Sequence, residues 1–560
     1  MSTDLVSRVY RYFKGVDFRG EGNSLYRSPD SLNVWKDYKD TEGIRTRPGM
    51  RLREGFTEPV YGIFFYNDIL LVHSGKALYR VSGGKRTQLR TGVNESPSES
   101  FVYENVWYFK DGKNYLQYDG TTLKEVEGYI PTTSIARKPS GGGTLHEDVN
   151  MLSPYRKNTF LADGESKEYF LDALEIDEEL PGVKVDGDEG VAYSFSVDYA
   201  KGKITFDVAP PAPKTDGRDN VTITYRKTNE KQKKSILGCT LLQVFDNRVF
   251  FSGNADYPNT VWHCSLNDPS YVSDLDYYNE GLDNAAVKGL VAGNTALWVF
   301  REPSDANTTV FYHTPTLDSD YGKIYPSQHS SVTTGCIGKA INFNDDIIFF
   351  SERGMEGISG DVTTEQVVGH RSSLVDRKLL SEKGYGKMVL EEWEGYLFVF
   401  TGKRAYLADS RSAWTNQDHN EYEWFYWEME KEILCSRVED GVLYLGCEDG
   451  VYTLDDLGSN VESYWVTPKD KFKYPHRQKT TSKKSCTVEA EGEEIIIYAM
   501  TNNDEDFSIL GTFANVEDAI SCRIKKKKFK DIQLKFYSTK RFSLESATLE
   551  CYIGGYLKNL

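Results

Sequence analysis

Three arginines, Arg301, Arg353 and Arg404, each follow an apolar run of strand type, and could in principle converge as the arginine triad of a glycoside hydrolase. The ordinary fate of an arginine at a strand end is solvent, so the spacing alone does not make an enzyme. The eight histidines, at 73, 146, 263, 313, 329, 370, 419 and 476, stand singly along the chain. A lone histidine is more often packed or hydrogen-bonded than a ligand. No phosphate-binding glycine loop, dinucleotide fingerprint, GxSxG elbow, HExxH helix or cysteine pair at zinc spacing occurs. Asp172 to Glu179 and Asp186-Gly187-Asp188-Glu189 are acidic enough to suggest Ca²⁺, but they lack the spacing of a calcium loop and read as solvated turns. The residues therefore point to a non-enzyme, with no cofactor and no metal.

Residues suited to binding are more plentiful. Trp393, Trp414, Trp424 and Trp427 could serve as sugar platforms, although tryptophan in strand-rich segments usually fills a core. Two basic tracts lie near the end of the chain. One runs from Lys469 to Lys484 and includes Lys471, Lys473, Arg477, Lys479, Lys483 and Lys484; the other is Arg523-Ile524-Lys525-Lys526-Lys527-Lys528-Phe529-Lys530. Lysines of this kind protect a strand edge, meet an acidic neighbouring subunit, or meet nucleic-acid phosphate. Lys525, Lys526, Lys527 and Lys528 are one candidate contact set. Arg45 and Arg47, in the turn-rich opening segment, are the other.

The elements that must position these groups announce themselves by repetition. A turn pair ending in Asn, Asp or Gly is followed at once by four to six apolar residues, and this happens seven times. The pairs are Asn67-Asp68, Glu104-Asn105, Asp246-Asn247, Gly293-Asn294, Asp345-Asp346, Glu394-Gly395 and Asp440-Gly441. Successive copies are 37, 142, 47, 52, 49 and 46 residues apart. A period of about 40 to 50 is that of four-stranded propeller blades, and the one long gap implies an insertion of about 100 residues. The sialidase Asp-box and the Trp-Asp dipeptide of WD40 repeats are absent.

Composition agrees. Thirty-seven Tyr, 28 Phe and 47 Gly in 560 residues favour strands and tight turns, and no sustained helical stripe is present. The expected fold is an all-β propeller of about seven blades, eight if residues 1–56 complete another, with an inserted β-sandwich and a C-terminal β-sandwich. The expected boundaries are an arm over 1–56, first blades over 57–131, the insertion over 132–235, the remaining blades over 236–460 and the last domain over 461–560. No run of 18 apolar residues occurs and the first residues lack a signal-peptide pattern, so neither a membrane span nor a leader is expected. The eight scattered cysteines read as reduced, buried thiols. Net charge is −17, yet residues 461–560 carry 17 Lys and Arg against 14 Asp and Glu, which leaves −20 on the rest.

Several phrases resemble the tail nozzle proteins (tail tubular protein B family) of short-tailed bacteriophages. They are Ser31-Leu32-Asn33-Val34 followed by Gly43-Ile44-Arg45-Thr46-Arg47-Pro48-Gly49, then Phe245 to Gly253 with Tyr257-Pro258-Asn259, and Asp163-Gly164 through Pro210-Pro211 and Tyr225. The resemblance implies a structural virion protein assembled in the host cytoplasm. It implies a ring, typically a homohexamer, below the tail adaptor, which meets portal-proximal proteins on one side and tail fibres or distal tail proteins on the other. Viral DNA would pass through its channel without sequence-specific binding. The competing readings are a carbohydrate- or receptor-binding propeller of the tail and, third, a propeller glycoside hydrolase.

Overall fold

The computed structural model describes residues 5–20, 24–38, 43–186, 192–305, 308–319, 322–359, 367–416, 419–456, 460–481, 485–502, 504–525 and 528–556. Two compact units divide the chain: residues 1–88 with 334–560, and residues 89–333.

Among the described residues, seven four-stranded sheets are built by antiparallel pairing. In chain order they occupy Val60–Thr91, Glu99–Glu125, Leu241–Asn279, Val287–His329, Ala340–His370, Val389–Glu428, and Cys435–Asp455 together with Gly49–Gly55. These are blade sheets, and the fold class is an all-β propeller. The second strand of each is buried on both faces: every residue of Tyr396–Thr401 and of Leu297–Arg301 is buried. Within each unit apolar cores fill the space between consecutive sheets, as where Phe250 and Val261 meet Leu297, Val299 and Phe311.

The repeated turn pair has a backbone cause. Both central residues have positive φ at Asn67-Asp68, Glu104-Asn105, Asp246-Asn247, Glu394-Gly395 and Asp440-Gly441, the signature of type I′ hairpins, which Asn, Asp and Gly tolerate best. Two expected copies differ. The fifth turn is Asn344-Asp345, with φ 50° and 65°, and Asp346 instead opens the strand opposite Phe343. At Gly293 a longer loop closes as the Gly293 N–H donates to the Ala296 carbonyl, 2.9 Å away.

Gly441 isolates the cost of this geometry. Its φ is +76° and a Cβ there would meet nothing within 4 Å, so only backbone strain opposes a side chain. Gly441→Val is expected to cost about 1–2 kcal/mol and Gly441→Asn much less. Equilibrium urea unfolding of the two variants distinguishes them.

The inserted segment forms two sheets on one core. Five strands lie in the order Thr144–Leu145, Thr132–Arg137, Tyr155–Phe160, Val221–Arg226 and Gly182–Val185, and three in the order Glu168–Phe170, Lys203–Phe206 and Phe195–Asp198. Phe160, Tyr169, Ile204, Phe206, Ile223 and Tyr225 join them. The helix Glu230–Leu237 then leads back to the blades. Its C-terminal carbonyls are satisfied by the buried Lys110, whose Nζ donates to the carbonyls of Leu237 and Cys239, a favourable place for a cation.

Two boundaries fall elsewhere than expected. The opening segment is not a separate arm: Gly49–Gly55 pairs with Gly450–Asp455 and completes the last four-stranded sheet. Earlier strands in the same segment join the C-terminal sheet, where Leu5–Tyr10 and Ile44–Thr46 both pair with Phe542–Tyr556. That C-terminal part is one hydrogen-bonded system of eleven strands, in place of two separate sheets. The 16-residue strand Cys486–Thr501 makes this possible, pairing with Phe542–Leu549 along its first half and with Ile532–Tyr537 along its second. Its alternate residues Val488, Ala490, Ile495, Ile497 and Ala499 face the core.

Candidate interaction surface

Arg47 lies inside the protein at 2% exposure. Its Nε donates to Asn33 Oδ1 at 2.9 Å, Nη1 to the Pro48 carbonyl at 2.8 Å and Nη2 to the Glu428 carbonyl at 2.6 Å, and Nη2 also pairs with Glu430 at 3.1 Å. Burial lowers its pKa, and Glu430 opposes that shift. Asn33 donates in turn to the Glu462 carbonyl and accepts from the Glu428 N–H. The Arg-Pro-Gly turn reads from sequence as an exposed contact. In the fold its arginine is an internal clamp between the opening segment and the sheet ending at Glu428.

Arg45 is only partly covered. It pairs with Asp37 at 3.0 Å and with Asp456 at 3.3 Å, and Arg541 shares Asp456 at 3.2 Å. Arg45 and Arg541 border a groove of about 610 Å³ whose rim carries Glu491, Glu493, Glu517 and Glu545.

The second contact set is a surface. Lys525 and Lys528 are exposed, whereas Ile524 and Phe529 on either side of them are buried and anchor the tract. Lys526 and Lys527 lie outside the described residues, as do Lys483 and Lys484. The two basic tracts are joined: the Lys479 N–H donates to the Phe529 carbonyl at 2.7 Å, and the Phe529 N–H returns the bond at 3.0 Å. Lys479 itself is not a solvated edge lysine. It is fully buried, and its ammonium donates to the carbonyls of Tyr474, Arg477 and Lys530, so all three protons are used. Burial lowers its pKa. Around this internal tie Lys471, Lys473, Lys525, Lys528 and Lys530 are exposed. Two nearby carboxylates are engaged, Asp470 by Arg8 and Tyr10 and Asp531 by Lys469. The result is a basic surface.

The other candidates are mostly absorbed by the fold. Arg301 is fully buried against Asp283 and the carbonyls of Ala285 and Thr308, so no substrate reaches it. Arg353 sits in an exposed turn, and Arg404 pairs with Glu382 at 2.6 Å. Trp424 and Trp427 are fully buried and donate to the carbonyls of Arg371 and Val34. Trp393 stacks on Trp35 at 5.7 Å. The Trp414 side chain lies outside the described residues. Of the acidic stretches, Asp172 accepts from Thr133 and Tyr225 and Asp177 from Thr228, while residues 187–189 lie outside the described residues. Among the described residues no group of three or more His, Cys, Asp or Glu is placed to hold a metal ion.

One cluster escaped the sequence reading. His263 and His313, apparently isolated, flank the Tyr278 ring at 5.9 and 4.8 Å. His313 is fully buried between Glu280 Oε1 and the Tyr325 carbonyl, both at 2.8 Å, and Ser327 donates to the other Glu280 oxygen at 2.6 Å. Each histidine ends the third strand of its sheet, Thr260–His263 and Val310–His313, so their equivalence in the repeat was the available signal. Burial pushes the His263 pKa down to about 4. The folded state thus holds this ring neutral while an unfolded histidine protonates near 6.5. Its contribution is present above that value and is lost as pH falls toward 4, by about 3 kcal/mol. Thermal melts between those two values are expected to fall more steeply for the native chain than for His263→Phe.

No family model and no curated protein matches this chain. Solved structures do. BamB from Moraxella catarrhalis aligns with a TM-score of 0.33 at 9% identity, covering 76% of this chain and 96% of its own. Hsv2 from Kluyveromyces lactis gives 0.26 at 9%, covering 67% and 99%. An exo-β-1,3-galactanase from Phanerochaete chrysosporium gives 0.22 at 8%, covering 56% and 94%. At these scores the fold assignment rests on the chain's own sheets, and no activity is carried across.

Proposed function

We propose that this chain is a non-catalytic structural protein of a short-tailed phage virion, a subunit of the nozzle ring below the tail adaptor. The observation that carries the reading is the charge division. An exposed lysine surface, anchored by buried Lys479, sits on a segment of net +3, while the rest of the chain carries −20. A closed ring is heterologous and needs two different complementary faces on each subunit. The lysine surface meets the acidic body of the next copy. An acidic channel wall lets DNA slide, since it does not hold phosphate. Tail adaptor and distal tail proteins or fibres bind the two ends of the ring, and the particle is built in the host cytoplasm.

Electron microscopy and mass photometry of the purified protein test this. The expected result is closed rings whose passage admits duplex DNA, loosened by high salt. Lys525→Glu with Lys528→Glu should abolish rings and leave the circular dichroism melt unchanged, because both side chains are exposed. A monomer at every concentration and salt would refute the reading.

A further inference from the structure

Cys486 stands directly opposite Cys522 in the antiparallel pair between Cys486–Thr501 and Ala519–Cys522. Opposed residues of such a pair have Cα atoms about 4.5 to 5.5 Å apart, inside the span of about 4.4 to 6.8 Å that a disulfide bridges. Directly opposed residues of an antiparallel pair point to the same face, so the two sulfurs already share one face of the sheet. No other two cysteines are opposed in any described strand pair.

Access is also built in. Ala519–Cys522 pairs with no other strand, so it is an edge. Cys522 is its last residue, 7% exposed, and the chain leaves it through the exposed Arg523 and Lys525. Fraying at a strand end costs little and would open Cys522 before Cys486, which is fully buried. The neighbouring Cys486 thiol lowers the pKa of the Cys522 thiol, against the effect of burial.

We infer that Cys486 and Cys522 form a latent cross-strand dithiol, a modification site that low-molecular-weight disulfides such as oxidised glutathione convert to an internal disulfide. The Cys522 thiolate attacks one sulfur of glutathione disulfide, and the other leaves as glutathione thiolate. The Cys486 thiolate then attacks Cys522 Sγ in the mixed disulfide and expels the second glutathione. The two protein thiols lose one proton each, which the two leaving thiolates take up. The protein pair is oxidised and one small disulfide is reduced to two thiols. The bridge encloses the 35 residues from Thr487 to Ser521 and fixes the start of the lysine tract to the central strand. It holds whether or not the chain forms a ring.

Incubation of the folded, full-length protein with oxidised glutathione, followed by alkylation and peptide mapping, tests this. The expected product has lost two of its eight thiols, weighs about 2 Da less and yields a cross-linked peptide containing Cys486 and Cys522. Its melting temperature rises by a few degrees, and dithiothreitol reverses the rise. Cys522→Ser retains size and a hydrogen-bonding group and should keep the native melt while showing neither change. Persistence of all eight thiols, a lasting glutathione adduct, or a bridge between other cysteines would overturn the inference.

Discussion

Raising the pH from 8.5 to 10 is expected to remove several kcal/mol of folding free energy, spread over both units, while the protein is kept reduced. Burial pushes the thiols of Cys239, Cys264, Cys447 and Cys551 up to about 12. Unfolded cysteines ionise near 8.5, so above that value the unfolded chain sheds protons that the folded chain keeps. Stability contributed by a raised pKa is complete below the unfolded value and declines as pH climbs toward the folded one. Each thiol then costs about 1.4 kcal/mol per pH unit. Lys110 acts in the opposite sense: burial lowers its pKa to about 8, so between there and the unfolded lysine value it releases a proton on folding and gains stability with pH. Four thiols against one lysine leave a slope of about 4 kcal/mol per pH unit, or roughly 6 kcal/mol by pH 10. The loss is shared, with Cys239 and Cys264 in one unit and Cys447 and Cys551 in the other, and a domain's whole stability is about 5–15 kcal/mol. Urea midpoints across this range should therefore fall in the native chain and fall less when the four cysteines are replaced by alanine, the remaining slope coming from Cys435 and Cys486, which are also raised. A midpoint that holds to pH 10 would show that these thiols are not sealed from water.

Arg47→Met should be the most damaging single substitution in the opening segment. It removes a buried cation while leaving the Pro48 and Glu428 carbonyls without their donor and Glu430 without its partner. Glu430 is 45% exposed and keeps its hydration, so the cost comes from the buried carbonyls left without a donor, about 1–3 kcal/mol each. Arg47→Lys restores charge but not the forked donor geometry and should recover only part. Limited proteolysis gives the sharper readout. Cleavage between residues 5 and 55 should accelerate in Arg47→Met well before the blades centred on Tyr396–Thr401 are cut. Unchanged protection would mean that the segment is held by its strand pairing alone.

What was legible in the sequence was local. Type I′ turns demand residues that accept positive φ, and that demand repeats along the chain, so most of the turn pairs are readable by eye. The fifth was displaced by one because Asn344, Asp345 and Asp346 all suit a turn, and only the pairing of Phe343 with Asp346 decides. The fourth reads as a two-residue turn from composition, yet its loop runs from Gly293 to Ala296. Long-range pairing left no trace. Nothing in Gly49–Gly55 says that its partner lies at Gly450–Asp455, because hydrogen bonding to a distant strand imposes no local period. The contact residues were half legible for a related reason. A lysine among lysines looks solvated, and only the fold shows that Lys479 is enclosed by three carbonyls while Lys525 and Lys528 are not.

The strand from Gly49 to Gly55 sets a timetable for the ribosome. It emerges early, but the segment it completes is not translated until about 400 residues later. At 5–20 residues per second it waits roughly 20 to 80 s with its backbone unpaired. Its side chains suit the wait: Arg51, Arg53 and Glu54 alternate with Met50 and Leu52 and discourage pairing with stray strands. That sheet is thus closed by a strand made long before its three companions.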